Sequence, residues 1–215
     1  MKKTLLILLL ALSFRLSAGP TLILDDGSSG FDIGVGFSTS KSSSKLYLGG
    51  GYIHNGRLNV GLDIGVLNLK EQDVIFTSIN SKIGYFILRQ NKYTMPLNLS
   101  VKGNFEYGST LYSGLVTDFY LFLISTDISH TFEINDYINF IPSGEVGFGK
   151  INASIADISS SGYYISLSLM AMITINNFYF LPKINFGENT AFTINIGTVL
   201  PRFQMGGVKK TRRLL

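Results

Sequence analysis

The sequence predicts an all-β chain whose strands form a transmembrane, up-and-down antiparallel β-barrel of about ten strands. Three observations support this prediction. Apolar and polar residues alternate along most of the chain, which is typical of strands that separate two solvents. Hydrophobic residues make up 46% of the chain and mean hydropathy is +0.28, yet beyond the N-terminus no apolar run approaches the ~18 residues of a membrane helix. Turn residues punctuate the alternating stretches.

The clearest alternation runs from Tyr93 to Tyr107. Its odd positions are apolar or aromatic apart from Gly103, and its even positions are polar or charged apart from Pro96. An ordinary strand has about 5–6 residues, whereas a tilted strand that crosses a bilayer needs about 9–11. The length therefore favours a membrane-spanning strand over a hairpin of a soluble protein.

Residues 1–19 are predicted to be a signal peptide. Lys2 and Lys3 precede the apolar stretch Thr4–Phe14, and Ser17–Gly19 supplies small residues for cleavage. Residues 20–30, which include Asp25 and Asp26, are predicted to be a flexible periplasmic lead-in. Two adjacent Asp residues before Gly and Ser are typical of a turn rather than of a calcium site.

Ten strands are predicted from Phe31 onward. The stretch Tyr107–Thr117 is ambiguous, and another interpretation of it would give eight or twelve strands. The predicted strands cover 31–38, 46–53, 58–66, 74–88, 93–107, a sixth that includes 122–134, then 138–148, 163–175, 178–186 and 192–200.

The connections are predicted to fall into two classes. Tight turns are expected at Asn55-Gly56, Gln90-Asn91, Asn135-Asp136 and Asn176-Asn177, because Asn, Asp and Gly accept turn geometry. Looser polar loops are expected near 41–45, 70–73, 107–116, 152–162 and 187–190. Membrane barrels place short turns on the periplasmic side and longer loops outside, so both termini are predicted to be periplasmic.

With its signal peptide, the chain resembles a small bacterial outer-membrane β-barrel protein. The segment Thr131–Pro142 is similar to hairpins common in that superfamily, and Asn195, Gly197 and Leu200 match the start of its C-terminal assembly signal. Arg202 departs from the signal by occupying the position of the closing aromatic residue. The resemblance implies a barrel domain over 31–203 in the outer membrane of a Gram-negative cell. It also implies periplasmic chaperones and the barrel-assembly machinery as partners.

Charge offers no sign of a nucleic-acid partner. The formal net charge is +4, but three basic residues lie in the predicted signal peptide and five lie in the last 14 residues. The segment 204–215 is therefore predicted to be a basic tail outside the barrel, since its charges cannot enter hydrocarbon cheaply. Between these ends the chain is mildly acidic. The protein is expected to be a monomer, with outer-membrane lipid around it.

One predicted strand face carries charged side chains that would line the lumen. Buried charges persist when they are paired or hydrated. These side chains predict either a salt-bridged plug, which we favour, or the acidic lining of a narrow pore. The candidates are Asp32, Asp63, Lys82, Lys102, Glu106, Asp127, Glu133, Glu145 and Lys183.

Catalytic chemistry is not predicted, and no cofactor or metal site is expected. Gly144–Lys150 has the spacing of a phosphate-binding loop, but Ile151 follows where Ser or Thr is required, and no helix follows. Ser129 and His130 are adjacent in a predicted strand and so point to opposite faces. The chain has no Cys, which excludes thiol chemistry.

The sequence leaves three functions open. The first is an integral outer-membrane barrel with a structural or envelope-interaction role. The second is a narrow, porin-like diffusion channel for small solutes. The third is a soluble periplasmic barrel with an apolar interior that binds an apolar ligand, because alternation does not say which face points inward.

Overall fold

The computed structural model describes residue 24 and residues 26–70, 73–91, 95–112, 115–155, 158–187 and 190–201, with backbone alone at 111–112, 115–116, 155 and 158. The predicted signal peptide (1–19) and basic tail (204–215) lie outside the described residues. No helix among the described residues is long and apolar enough to cross a membrane.

Eleven strands form one antiparallel sheet. They are β1 Gly30–Thr39, β2 Ser43–His54, β3 Leu58–Leu69, β4 Val74–Leu88, β5 Asn98–Tyr112, β6 Leu115–Ser129, β7 Phe132–Glu133, β8 Ile138–Ile155, β9 Ile158–Ile175, β10 Phe178–Phe186 and β11 Ala191–Pro201.

The sheet closes on itself. β1 pairs with β11 from Gly30↔Pro201 to Thr39↔Phe192, and β6 pairs directly with β8. The short β7 pairs with two residues of β8 and is not part of the wall. The wall therefore has ten strands, each paired on both sides, and the predicted up-and-down barrel is confirmed.

The barrel has two ends that differ in their connections. The terminal end carries Gly30, Pro201 and the connections 55–57, 89–97, 130–137 and 176–177. The distal end carries the connections 40–42, 70–73, 113–114, 156–157 and 187–190. Two predicted turns have left-handed backbone, with φ of 51° at Asn55, 62° at Gly56 and 53° at Asn176, as turns of this kind require.

Several predicted boundaries were wrong. The expected loops 107–116 and 152–162 are mostly strand, because β5–β6 and β8–β9 are long hairpins joined by two residues. The expected tight turn at Gln90-Asn91 belongs to a nine-residue connection, and β5 begins at Asn98 rather than Tyr93. Since the longer connections lie at the terminal end, loop length does not orient this barrel.

The described part of the lead-in is fastened to the terminal end. The Gly27 amide donates to the Asn55 carbonyl (3.0 Å), and the Asn55 amide donates to Ser29 Oγ (2.9 Å). Arg57 donates two hydrogen bonds of 2.8 Å to the carboxylate of Asp26. Leu24 is buried inside the barrel mouth. The described residues of the lead-in therefore pack against the terminal end of the barrel.

Candidate functional site: the barrel lumen

The polar face of every wall strand points into the barrel. On β5 the side chains of Asn98, Ser100, Lys102, Asn104 and Glu106 are all buried, whereas the intervening Phe105 is 44% exposed. The same alternation holds on β1, β3, β4, β6 and β10. The interior is polar at mid-height and the exterior is apolar, which excludes the soluble barrel with an apolar interior.

An apolar cluster fills the lumen at each end. At the distal end, a cluster on β3, β4, β6 and β8 includes Phe76 and Phe119, whose rings meet edge to face at 5.5 Å. At the terminal end, the second cluster includes Ile53, Ile141, Tyr179, Val199 and the lead-in residue Leu24. Apolar side chains thus pack against each other at both ends of the lumen.

Between these clusters lies a layer of buried ion pairs. Lys45 Nζ lies 2.6 Å from Glu106 Oε1, and Lys82 Nζ lies 2.7 Å from Asp63 Oδ1. Asn80 adds a hydrogen bond of 3.2 Å to the other Asp63 oxygen. These contacts join β2 to β5 and β3 to β4, so they connect strands across the lumen as well as within the wall.

Glu145 is the centre of a second network. Its two carboxylate oxygens each lie 3.4 Å from an ammonium group, Oε2 from Lys102 and Oε1 from Lys183. Lys102 also lies 3.7 Å from Asp127 Oδ2. Each of these side chains is at most 10% exposed. Removing one partner would leave an uncompensated buried charge, which is costly in a low-dielectric interior.

A phenol and an amide extend the polar layer. Tyr179 Oη donates to Asp32 Oδ1 (3.0 Å), and Tyr47 Oη donates to Asn195 Oδ1. A cavity of about 20 Å³ remains beside these four residues, which is room for roughly one water molecule. This polar layer therefore leaves little free space beside Tyr47 and Tyr179.

The structure brings eight of the nine predicted lumen residues into this layer. Glu133 is the exception, because it is exposed in β7. The wall strand β6 ends at Ser129. The predicted strand continues to Ile134, but its residues after Ser129 lie outside the barrel wall.

Sequence reasoning missed Lys45, Tyr47, Tyr179 and Asn195. Lys45 was placed in a loop, because Gly49, Gly50 and Gly51 blur the alternation of β2. Its spacing from Tyr47 and Gly49 carried the signal, since these residues share one face of a strand.

The positions considered for catalysis do not converge. Ser129 is buried, whereas His130 lies outside the barrel, with Nδ1 2.6 Å from the Pro96 carbonyl and its ring against Phe132. Gly144–Lys150 lies within β8. Among the described residues, no group of three or more His, Asp or Glu side chains could hold a metal ion.

The sequence matches no protein-family model and no curated protein. Among solved structures, the chain is similar to Ail, the attachment invasion locus protein of Yersinia pestis, at 17% identity and a TM-score of 0.39, over 83% of this chain and 100% of Ail. It is also similar to CdiB from Acinetobacter baumannii, at 12% identity and a TM-score of 0.41, over 78% of this chain and 32% of CdiB. A third similarity, to a designed transmembrane β-barrel, has 12% identity and a TM-score of 0.30, over 82% of this chain and 98% of the design.

These similarities are too distant to transfer an activity, and the fold is established by the closed strand ladder. The predicted resemblance to small outer-membrane β-barrel proteins is confirmed at the level of the fold.

Proposed function

We propose that this chain is an integral outer-membrane β-barrel with a closed lumen, and that its role is structural or in envelope interaction. The observation that carries the proposal is the inside-out polarity of a fully closed ladder. A soluble barrel would have to expose this apolar exterior to water, which monomeric soluble proteins rarely do over a large area.

The height of the apolar exterior supports a bilayer location. On β8 the outward residues from Ile138 to Phe148 are apolar or Gly, and Lys150, Asn152 and Ser154 follow them. Ten residues at about 3.4 Å each, on a strand tilted by about 40°, span about 26 Å along the barrel axis. The apolar band of known transmembrane barrels is about 25 Å tall.

Aromatic residues mark both edges of this band. Toward the distal end, Tyr107 and Tyr120 are in ring contact at 5.0 Å, and Tyr163 stacks on Phe148 at 5.6 Å. Toward the terminal end, Phe31 packs on Tyr52 at 5.2 Å. Girdles of this kind occur at both interfaces of transmembrane barrels.

A diffusion channel is the weaker alternative. The buried ion pairs connect strands across the lumen, and apolar side chains pack against each other at both ends. The distal connections have at most four residues, so an interaction partner at that end would contact short hairpin tips rather than long loops. No enzymatic role is proposed. Outer-membrane lipid, periplasmic chaperones and the barrel-assembly machinery stay proposed partners.

The proposal is tested by fractionation and by conductance. The protein expressed with its full sequence should sediment with outer membranes and should resist extraction until detergent is added. Recovery in the soluble periplasm would contradict the membrane assignment. In planar bilayers the refolded protein should show no steady unit conductance, whereas regular openings would favour the channel.

A further inference from the structure

A groove of about 590 Å³ interrupts the outer wall over β2–β6. Its outward-facing lining includes Gly50, Leu62, Ser81, Gly103, Phe105 and Phe122. Ladder register places Gly50 opposite Leu62, Leu62 opposite Ser81, and Ser81 opposite Phe105. The groove therefore crosses neighbouring strands near their middles, with small residues as its floor and large apolar residues beside them.

The inward-facing glycines of this barrel have an evident packing reason. A Cβ at Gly36 would collide with the ring of Tyr47, at Gly34 with the hydroxyl of Tyr179, and at Gly149 with the ring of Tyr164. At these positions an aromatic side chain occupies the space that the missing side chain leaves, as is common in β-barrels.

The glycines of the groove have no such reason. A Cβ at Gly103 would meet only the Ile83 Cγ2 methyl group, at 3.3 Å, and a Cβ at Gly50 would meet only the backbone carbonyl of Asp32, at 3.2 Å. Glycine inside a strand weakens it and often marks a place where a ligand or another backbone approaches closely. Each position has one tight contact, but no aromatic side chain covers it, so the rest of the outward space over these two glycines is open.

The position of the groove indicates what fills it. Ser81 is the middle residue of the outward set on β4, and Gly103 is near the middle of that set on β5, so the groove lies at mid-height of the apolar band. Among the described lining residues, no charged side chain faces outward. At this depth, on the proposed membrane location, the surrounding medium is hydrocarbon.

We propose that this groove binds one acyl chain of a membrane phospholipid. A two-fold pair of copies that met at the groove would set groove against groove and enlarge the void, and a head-to-tail contact would build rings or open chains of copies. A single flexible hydrocarbon chain fills a narrow concave site without either consequence. This inference rests on the proposed membrane location and adds a specific lipid seat to it.

Native mass spectrometry of the refolded full chain in detergent micelles tests the proposal. Dipalmitoyl phosphatidylethanolamine is added at increasing ratio, and the fraction of protein that keeps one lipid after the micelle is removed is measured. The wild type should retain one lipid. Gly103→Leu should lower the retained fraction about tenfold or more, because the new side chain takes the space of several buried methylenes.

Two further variants complete the design. Ser81→Leu fills the same groove from β4 and decides the result if Gly103→Leu does not refold. Ala171→Leu enlarges an outward residue of β9, outside the groove, and should bind as the wild type does.

Three outcomes would overturn the lipid seat. They are equal lipid retention by wild type and filled-groove variants, no retention by the wild type, and a wild-type dimer that Gly103→Leu dissociates, which would assign the groove to a second copy. Flotation of the same preparations with liposomes separates this inference from the proposed function. Protein that floats but keeps no lipid contradicts the seat alone, whereas protein that does not float contradicts the membrane location.

Discussion

At the scale of single residues, the lumen contains charged side chains that are paired with each other instead of being hydrated. Glu145 faces both Lys102 and Lys183 at 3.4 Å, and all three side chains are nearly inaccessible to solvent. Pairs of this kind give little net stabilisation, yet the loss of one member is strongly destabilising because the remaining charge has no compensation. Loss of any one member of this network should therefore destabilise the folded barrel.

Glu145→Gln should reduce the free energy of unfolding by about 3–5 kcal/mol, because two buried ammonium groups lose their shared carboxylate. The measurement is the urea midpoint of the refolded protein in liposomes, followed by heat-modifiable gel migration. Glu133→Gln is the matched control, since Glu133 is exposed outside the wall; its effect should stay within about 0.5 kcal/mol. Equal effects of the two changes would mean that the network is not formed.

Glycines on opposite faces of the wall should respond oppositely to the same substitution. Gly36→Ala places a methyl group against the Tyr47 ring and should cost about 1–3 kcal/mol through overpacking. In Gly103→Ala the new methyl group meets Ile83 Cγ2 at 3.3 Å, and Ile83 can shift by a few tenths of an ångström because it is 53% exposed on the outer face. The change should be neutral or stabilising by up to about 1 kcal/mol, since glycine is unfavourable within a strand. Urea midpoints of both variants test this, and a costly Gly103→Ala would show that the outer wall is tightly packed there.

At the scale of elements, the outward-facing residues of a wall strand show which part of the strand lies within the apolar band. From the distal end, the outward-facing residues of β9 are first the small polar Ser159 and Ser161 and then Tyr163. An apolar set centred on Leu169 follows them. The β8–β9 hairpin is the longest in the barrel, so its tip extends beyond the apolar band. One strand thus presents the same outward face to two environments.

Leu169→Arg should therefore be far more damaging than Ser161→Arg, although both side chains leave the same face of β9. An Arg near the midplane costs about 2–4 kcal/mol and one near the interface about 0–1 kcal/mol. Folding yield and urea midpoints in liposomes measure the difference. Similar losses for the two variants would contradict the height assigned to the apolar band.

The lead-in is the second element whose contribution can be measured. Hydrogen bonds from Arg57 lower the pKa of the Asp26 carboxyl below 3.8. A lowered pKa stabilises the folded state above the pKa of the unfolded chain, and that stabilisation is lost as pH falls through the folded value. Because both side chains are about half exposed, solvent screens the pair and its contribution to stability is small.

Arg57→Ala should accordingly be less stable than the wild type by this small amount at pH above about 5, and the difference should shrink below about pH 4. Urea midpoints of the two proteins across this range provide the measurement. A difference that grows toward low pH would have the wrong sign and would reject the role of Asp26.

At the scale of the whole molecule, closure of the ladder leaves no open edge among the ten described wall strands. The seam between β1 and β11 is paired over the full length of β1, and the β6–β8 seam bypasses the short β7. In hydrocarbon each unpaired backbone group would cost several kcal/mol, so a spanning sheet must close. Among the described residues, the ladder at this seam reaches Pro201.

Truncation after Phe203 should leave the barrel intact, because the last ladder pair is Gly30↔Pro201. Heat-modifiable gel migration of the refolded truncated chain should match that of the full chain. If the truncated chain fails to fold in vitro, residues beyond Phe203 take part in the barrel.

The sequence by itself determined the class of fold and the charged face of most strands, and it favoured ten strands while leaving eight or twelve open. These features follow from a period of two residues and from local turn chemistry, as at Asn55-Gly56 and Asn176-Asn177, and both are local properties of the chain. It did not determine the ends of β5, β6, β8 and β9. Serines and small residues in those hairpin tips look like loop residues until partner strands supply their hydrogen bonds.

Tertiary structure alone decided which face is inside and what the lumen contains. Alternation is symmetric between the two faces, and ring closure breaks that symmetry by burying Asn98, Ser100 and Lys102. Pairings such as Lys45 with Glu106 or Lys183 with Glu145 join residues 61 and 38 positions apart. Such contacts depend on the register of several strands at once, so no local pattern in the sequence specifies them.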